Sequence, residues 1–213
     1  NSPPCTSPGD TMNDYATVRH DYRWDCPARF NFARDVIDRW AAADPAQPAM
    51  LWVDDHGREE RRTFADIAAA SRRVANVLAG AGVARGDRVV MLLGRQIAWW
   101  EVLTACLRMG AVASPGTAQL SAKDLAYRIN AAGATCVVTD TANAAKVDAV
   151  LGECPSLKAR VLVDGRRDGW IDYASAVRAA SEAFVTVDSA AHDEALCYFT
   201  SGTTGQPKMC MHA

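Results

Sequence analysis

Short apolar runs at 88–93, 135–139, 159–163 and 195–199 alternate with stretches of helical periodicity, and this alternation narrows what the 213-residue chain can fold into. A strand that is apolar at successive positions buries both of its faces. Sheets covered on both faces are built mainly from parallel strands joined by helical crossovers. The helices are marked at their ends. Thr63 with Asp66 makes a capping box ahead of the stripe Ile67, Ala70, Val74, Val77 and Leu78, which Gly80 and Gly82 close. Ser121 with Asp124 opens a second capped helix that runs through Ala132 and stops at Gly133. Further helices are expected over 30–42, 98–109, 144–151 and 171–183, the first carrying Phe32, Val36, Ile37 and Trp40 and stopping at Asp44-Pro45. Residues 49–53 and 58–64 flank the turn Asp55-His56-Gly57 and read as a hairpin, and 185–193 reads as a polar surface loop before the last strand, 195–199. The fold class is α/β, a partly parallel sheet flanked by helices, in which ligands gather beyond the carboxyl ends of the strands.

That position is occupied by Thr200, Ser201, Gly202, Thr203, Thr204, Gly205, Gln206, Pro207 and Lys208, which follow the apolar run 195–199 directly. Glycine permits the positive-φ turns that aim successive N–H groups into one concavity, hydroxyls add donors, and lysine adds a mobile positive charge. Phosphate is the ligand such a loop suits. The Walker A loop needs four residues between its glycines and a Gly-Lys ending. Here only Thr203 and Thr204 separate Gly202 from Gly205, and Pro207 precedes Lys208. A Gly/Thr-rich surface loop after an edge strand is the bland alternative.

A net charge of −2 gives no electrostatic footprint for nucleic acid or an anionic membrane. No apolar run approaches the ~20 residues that span a bilayer. The 7 cysteines are widely spaced without a Cys-x-x-Cys pair, and Cys106, Cys136 and Cys197 lie in apolar patterns, as free thiols of a reducing compartment do. The 4 histidines show no metal-ligand spacing. The chain begins at Asn1; residues 1–11 read as a disordered leader or upstream sequence ahead of a start at Met12. The charge run 58–62 nearly cancels in sign and reads as a solvated strand face. Trp99-Trp100 reads as core packing, with ligand stacking as the alternative.

Residues Phe199 to Lys208 resemble the phosphate-binding signature of the adenylate-forming (acyl-activating, AMP-binding) superfamily, Tyr/Phe-Thr-Ser-Gly-Thr-Thr/Ser-Gly-x-Pro-Lys, at every fixed position. Gly86-Asp87-Arg88-Val89 is similar to the family's turn into an early strand, and the segment from Cys106 to Val112 to its helix end. Phe30-Asn31-Phe32-Ala33, the segment from Pro115 through Gln119 to Lys123-Asp124-Leu125-Ala126-Tyr127-Arg128, and Pro207-Lys208-Met209 resemble the medium-chain acyl-CoA synthetase branch; where Met209 stands, the family more often has glycine.

The resemblance implies an enzyme that joins ATP to a medium-chain fatty acid as an acyl-adenylate, releasing pyrophosphate, and then exchanges AMP for coenzyme A. It implies that Thr200 to Lys208 hold the β- and γ-phosphates with Mg2+ nearby. It also implies that Gln119 lies near coenzyme A, against the alternative of a polar residue ahead of a helix cap. Members of the family are much longer, with adenine, carboxylate and ribose segments and a small domain carrying a catalytic lysine further on. The expectation is therefore a leader at 1–29 and, at 30–213, the N-terminal part of an AMP-binding domain that does not complete the reaction alone. An aryl-CoA ligase and a non-catalytic nucleotide-binding module are the alternatives. Location is expected to be cytoplasmic, with the mitochondrial matrix as the alternative.

Overall fold

A computed structural model describes residues 15–200 and 205–213. The leader expected at 1–11 lies outside the described residues. Short helix α1 (Tyr15–Asp21) buries nothing. Next comes a π-helical turn, Ala33–Asp38, running into α2 (Arg39–Ala43). The expected helix over 30–42 is thus shorter and wider at its start. The wide turn turns Ala33, Ile37 and Asp38 inward together: the first two are buried, and the Asp38 carboxylate accepts two bonds from Arg108 (2.7 and 2.8 Å). Strands β1 (Pro48–Val53) and β2 (Glu59–Thr63) form the expected hairpin, a separate two-stranded sheet, whose Met50 packs with Ile37, Ile67 and Ala68.

The body is α3 (Phe64–Gly80), β3 (Arg88–Leu92), α4 (Ile97–Met109), β4 (Val112–Gly116), α5 (Ala122–Ala132), β5 (Cys136–Thr139), α6 (Thr141–Ala149), β6 (Ala159–Leu162), β7 (Ile171–Asp172), α7 (Tyr173–Ala179), β8 (Leu196–Thr200) and β9 (Lys208–His212). Seven strands form one sheet in the order β7-β6-β5-β3-β4-β8-β9, parallel throughout except for β9, which returns antiparallel to β8. The pleat divides the core. Val89 and Met91 of β3 face Val74, Leu78, Val102 and Cys106 of α3 and α4, while Val90 and Leu92 face Leu125, Ile129, Ala144 and Val147 of α5 and α6. This is why β3 and β5 are apolar on both faces, whereas β6 carries the half-buried Arg160 and β8 exposes Tyr198.

The capping signals hold in detail. The Thr63 hydroxyl accepts from the Asp66 N–H (3.1 Å) and the Asp66 carboxylate from the Thr63 N–H (2.8 Å). Ser121 likewise accepts from the Asp124 N–H. Elsewhere the boundaries move for local reasons. Asp140 caps α6 by accepting the Asn143 N–H, so that helix begins at Thr141 rather than 144. The helix expected over 171–183 divides, because Asp172 caps α7 through the Ser175 N–H, leaving Ile171–Asp172 to pair with β6. The polar stretch before β8 is a strap: Val187 N–H donates to Arg108 O, and Phe30 N–H to Ser189 O (both 3.0 Å). The strand at 195–199 is not the last, since β9 follows it. Trp99 packs into the core, whereas Trp100 is 50% exposed.

Cys106, Cys136, Cys154 and Cys197 are buried, and burial pushes the Cys106 thiol up to about 12. They behave as small hydrophobes. Gly110 ends α4 at φ +70, and a Cβ there would meet Arg85 Cγ and Val187 Cγ2 at 3.0 Å. Gly110→Ala is expected to destabilise the fold by about 1–3 kcal/mol, read as a lower denaturant midpoint in urea with an unchanged slope. An unshifted midpoint would mean that the turn relaxes freely.

Candidate phosphate site

Because β3, β4, β5, β6 and β8 are parallel, their carboxyl ends share one edge of the sheet. The sequence-identified loop emerges there, as the connection of the β8–β9 hairpin. Ser201, Gly202, Thr203 and Thr204 lie outside the described residues; Thr200, Gly205, Gln206, Pro207 and Lys208 do not. Thr200 and Lys208 face each other across the hairpin in register, and both are exposed. Gly205 holds φ +118, a conformation that side chains rarely adopt, so a glycine is required at that point of the turn. A hydroxyl, a positive-φ glycine and a solvated ammonium at the carboxyl end of β8 are chemically suited to phosphate oxygens.

Helix α5 braces this hairpin. The Tyr127 hydroxyl donates to the Pro207 carbonyl oxygen at 2.8 Å, and the Tyr127 ring meets Phe199 edge-on at 6.2 Å. The Arg128 guanidinium lies over the Phe199 ring, 4.9 Å from its centroid. Sequence reasoning passed over Tyr127 as a site residue; the signal available was its place in the helix that follows β4, on the face opposite the buried Leu125 and Ile129.

Gln119 sits in the β4–α5 connection at the same edge, exposed, with its N–H donating to the Thr117 hydroxyl (3.3 Å). Its neighbour Ala118 accepts from the Lys146 ammonium at 3.0 Å, and Lys146 also donates to the Asn143 carboxamide oxygen at 2.8 Å. Asp140 completes this polar row, accepting from the Gln96 amide at 3.2 Å. The Asp124 carboxyl is held below the usual carboxylate range, chiefly by the Ser121 hydroxyl. A groove of about 600 Å³ lies elsewhere. Leu107, Gly110, Ala111, Ala195 and Leu196 line it at the amino ends of β4 and β8, the opposite edge of the sheet. Phosphate chemistry and groove do not coincide, and the loop is the better guide to function because it carries the donors.

Residues 37–213 match the family model described as AMP-binding enzyme. The chain belongs to that family. Relatives in the AMP-binding family include acyl-coenzyme A synthetase ACSM4, mitochondrial, of Mus musculus, 40% identical over 95% of this chain and 36% of the relative. Acyl-coenzyme A synthetase ACSM5, mitochondrial, of Mus musculus is 45% identical over 88% of this chain and 34% of the relative. The chain therefore spans about a third of the length of the relatives it matches. Among solved structures, an acyl-CoA synthetase of Brucella canis superposes with a TM-score of 0.78 at 27% identity, covering 94% of this chain and 36% of that one. The anthranilate CoA ligase AuaEII, solved with anthranoyl-AMP, has a TM-score of 0.80 at 24% identity over 89% of this chain and 36% of its own, which shows the shared AMP-binding fold.

Proposed function

We propose that this chain is the N-terminal part of the adenylation domain of a medium-chain fatty acid:CoA ligase, spanning 30–213, and that Thr200 to Lys208 bind the β- and γ-phosphates of ATP. The observation that carries this reading is the ten-position loop signature at the carboxyl end of β8 in a chain of the AMP-binding family. In the reaction, a carboxylate oxygen forms a bond to the α-phosphorus and the bond from that phosphorus to the bridging oxygen breaks. Pyrophosphate leaves with the electron pair. In the second half, the coenzyme A thiol attacks the acyl carbonyl, AMP departs and the thiol proton is lost.

Donors aimed at the departing pyrophosphate stabilise the charge that gathers on it. That is the task proposed for the Thr200 and Lys208 side chains and the glycine turn. Mg2+, bound with the triphosphate near Thr200 and Lys208, would supply further positive charge against the departing pyrophosphate. Gln119, at the same edge as the loop, is proposed to contact coenzyme A. For location, the mitochondrial matrix is proposed over the cytoplasm, on the support of relatives named as mitochondrial, and cell fractionation decides between the two. No helix among the described residues is long and apolar enough to cross a membrane.

The test is acid-dependent ATP–pyrophosphate exchange by the purified gene product with butyrate, octanoate and benzoate. Exchange supported by octanoate or butyrate is the expected result. Exchange with benzoate alone would replace the fatty acid with an aryl acid, and no exchange with any acid would remove the ligase reading.

A further inference from the structure

The hairpin that carries the phosphate loop lies beside β4 but is in ladder register with it at a single pair. β8 and β4 share one registered pair, Ala113 with Leu196, supported by the Ala113 N–H donating to Ala195 O at 3.0 Å. This contact lies at the start of β8. From Cys197 to Thr200 the registered partners of β8 belong to β9 alone. The tip of the hairpin is instead held by side chains of α5. That helix is firmly seated, with Leu125, Ala126 and Ile129 buried on its core face. It presents Tyr127 and Arg128 to Phe199, and the Tyr127 hydroxyl to the Pro207 carbonyl.

The point of attachment matters. The carbonyl of Pro207 and the N–H of Lys208 belong to one planar peptide group. A bond to that oxygen therefore sets the orientation of the plane from which the Lys208 side chain departs. We propose that Tyr127 is a positioning residue of the phosphate loop. Its hydroxyl orients the Pro207–Lys208 peptide, so that the Lys208 ammonium is delivered to the polyphosphate of the nucleotide. The proposal rests on the phosphate-binding reading of the loop, and the experiment separates the two.

Tyr127→Phe removes only the hydroxyl and keeps the ring against Phe199. Titration of the purified protein with inorganic pyrophosphate in the presence of Mg2+, and with MgATP, is expected to show about a three- to tenfold weaker affinity in the variant, the range for one lost neutral hydrogen bond. Amide exchange at 205–209 is expected to quicken, while that of α5 and the central strands stays as in the parent protein. A purely structural contact predicts a lower melting temperature with pyrophosphate affinity unchanged. That result, in a parent protein that binds pyrophosphate, would overturn the positioning role alone. A parent protein that binds neither ligand would remove the phosphate-binding reading and the positioning role with it.

Discussion

Lys208→Ala is expected to weaken MgATP binding by roughly ten- to a hundredfold, the range of one lost charge-assisted hydrogen bond. Lys208 opens β9 with its side chain in solvent, and among the described residues it takes part in no ion pair. Its removal should leave the melting temperature nearly unchanged, since exposed substitutions rarely move stability. Raising the salt concentration should shrink the difference between parent and variant, because a solvated charge is screened. Lys208→Arg should fall between the two: the charge stays, but a planar fork replaces a point charge. Isothermal titration measures all three proteins. Equal affinity of the alanine variant would detach Lys208 from the nucleotide, and with it the reading of this chain as a bare nucleotide-binding module.

Asp38→Ala is expected to lower the melting temperature by about 10 °C. Arg108 is fully buried, its side chain 0% exposed, and its guanidinium donates to both Asp38 oxygens, to the Thr186 hydroxyl at 2.7 Å and to the Ser71 hydroxyl at 3.1 Å. Asp38 is itself 30% exposed, but taking it away strands the fully buried Arg108 charge, at about 3 kcal/mol, the low end of the range for a buried pair. For a chain of this size each kcal/mol moves the midpoint by about 2–4 °C. Arg72 also bonds Asp38, at 3.1 Å, and loses its partner too. The surface pairs, such as Arg61 with Glu59, contribute about 0–1 kcal/mol each, so their removal serves as the control. Differential scanning fluorimetry reads the midpoints. A fall no larger than that of the control would mean that water reaches the Arg108 guanidinium.

Arg108 illustrates what the sequence does not disclose. The capping box at Thr63, the N-cap at Ser121, the glycine stop at Gly133 and the doubly buried strands β3 and β5 are written in neighbouring residues, and each was legible because its physical cause is local. The pairing of Arg108 with Asp38 spans 70 positions, and nothing near either residue announces it. The strap at 185–189 was read as a loop for the same reason, since its polar composition hides bonds to Asn31, Phe30 and Arg108 far back in the chain. The short strand β9 carries too little pattern to separate it from loop. The phosphate loop was legible as composition and spacing. Its brace on Tyr127 was not, because the two meet 80 positions apart.

The strand order carries a consequence for the sequence of events in folding. From β3 to β7 each strand is laid beside a neighbour already in place, with one crossover at a time. The chain then has to return across the whole sheet from its far edge at β7 to set β8 beside β4, closing a long loop for a single registered pair. Closure of that kind is entropically late, because the contacts it gains come after the freedom it loses. Within the sheet described here, the hairpin bearing the phosphate loop is therefore expected to be the last piece assembled, so that the phosphate loop takes its place only on strands already laid down.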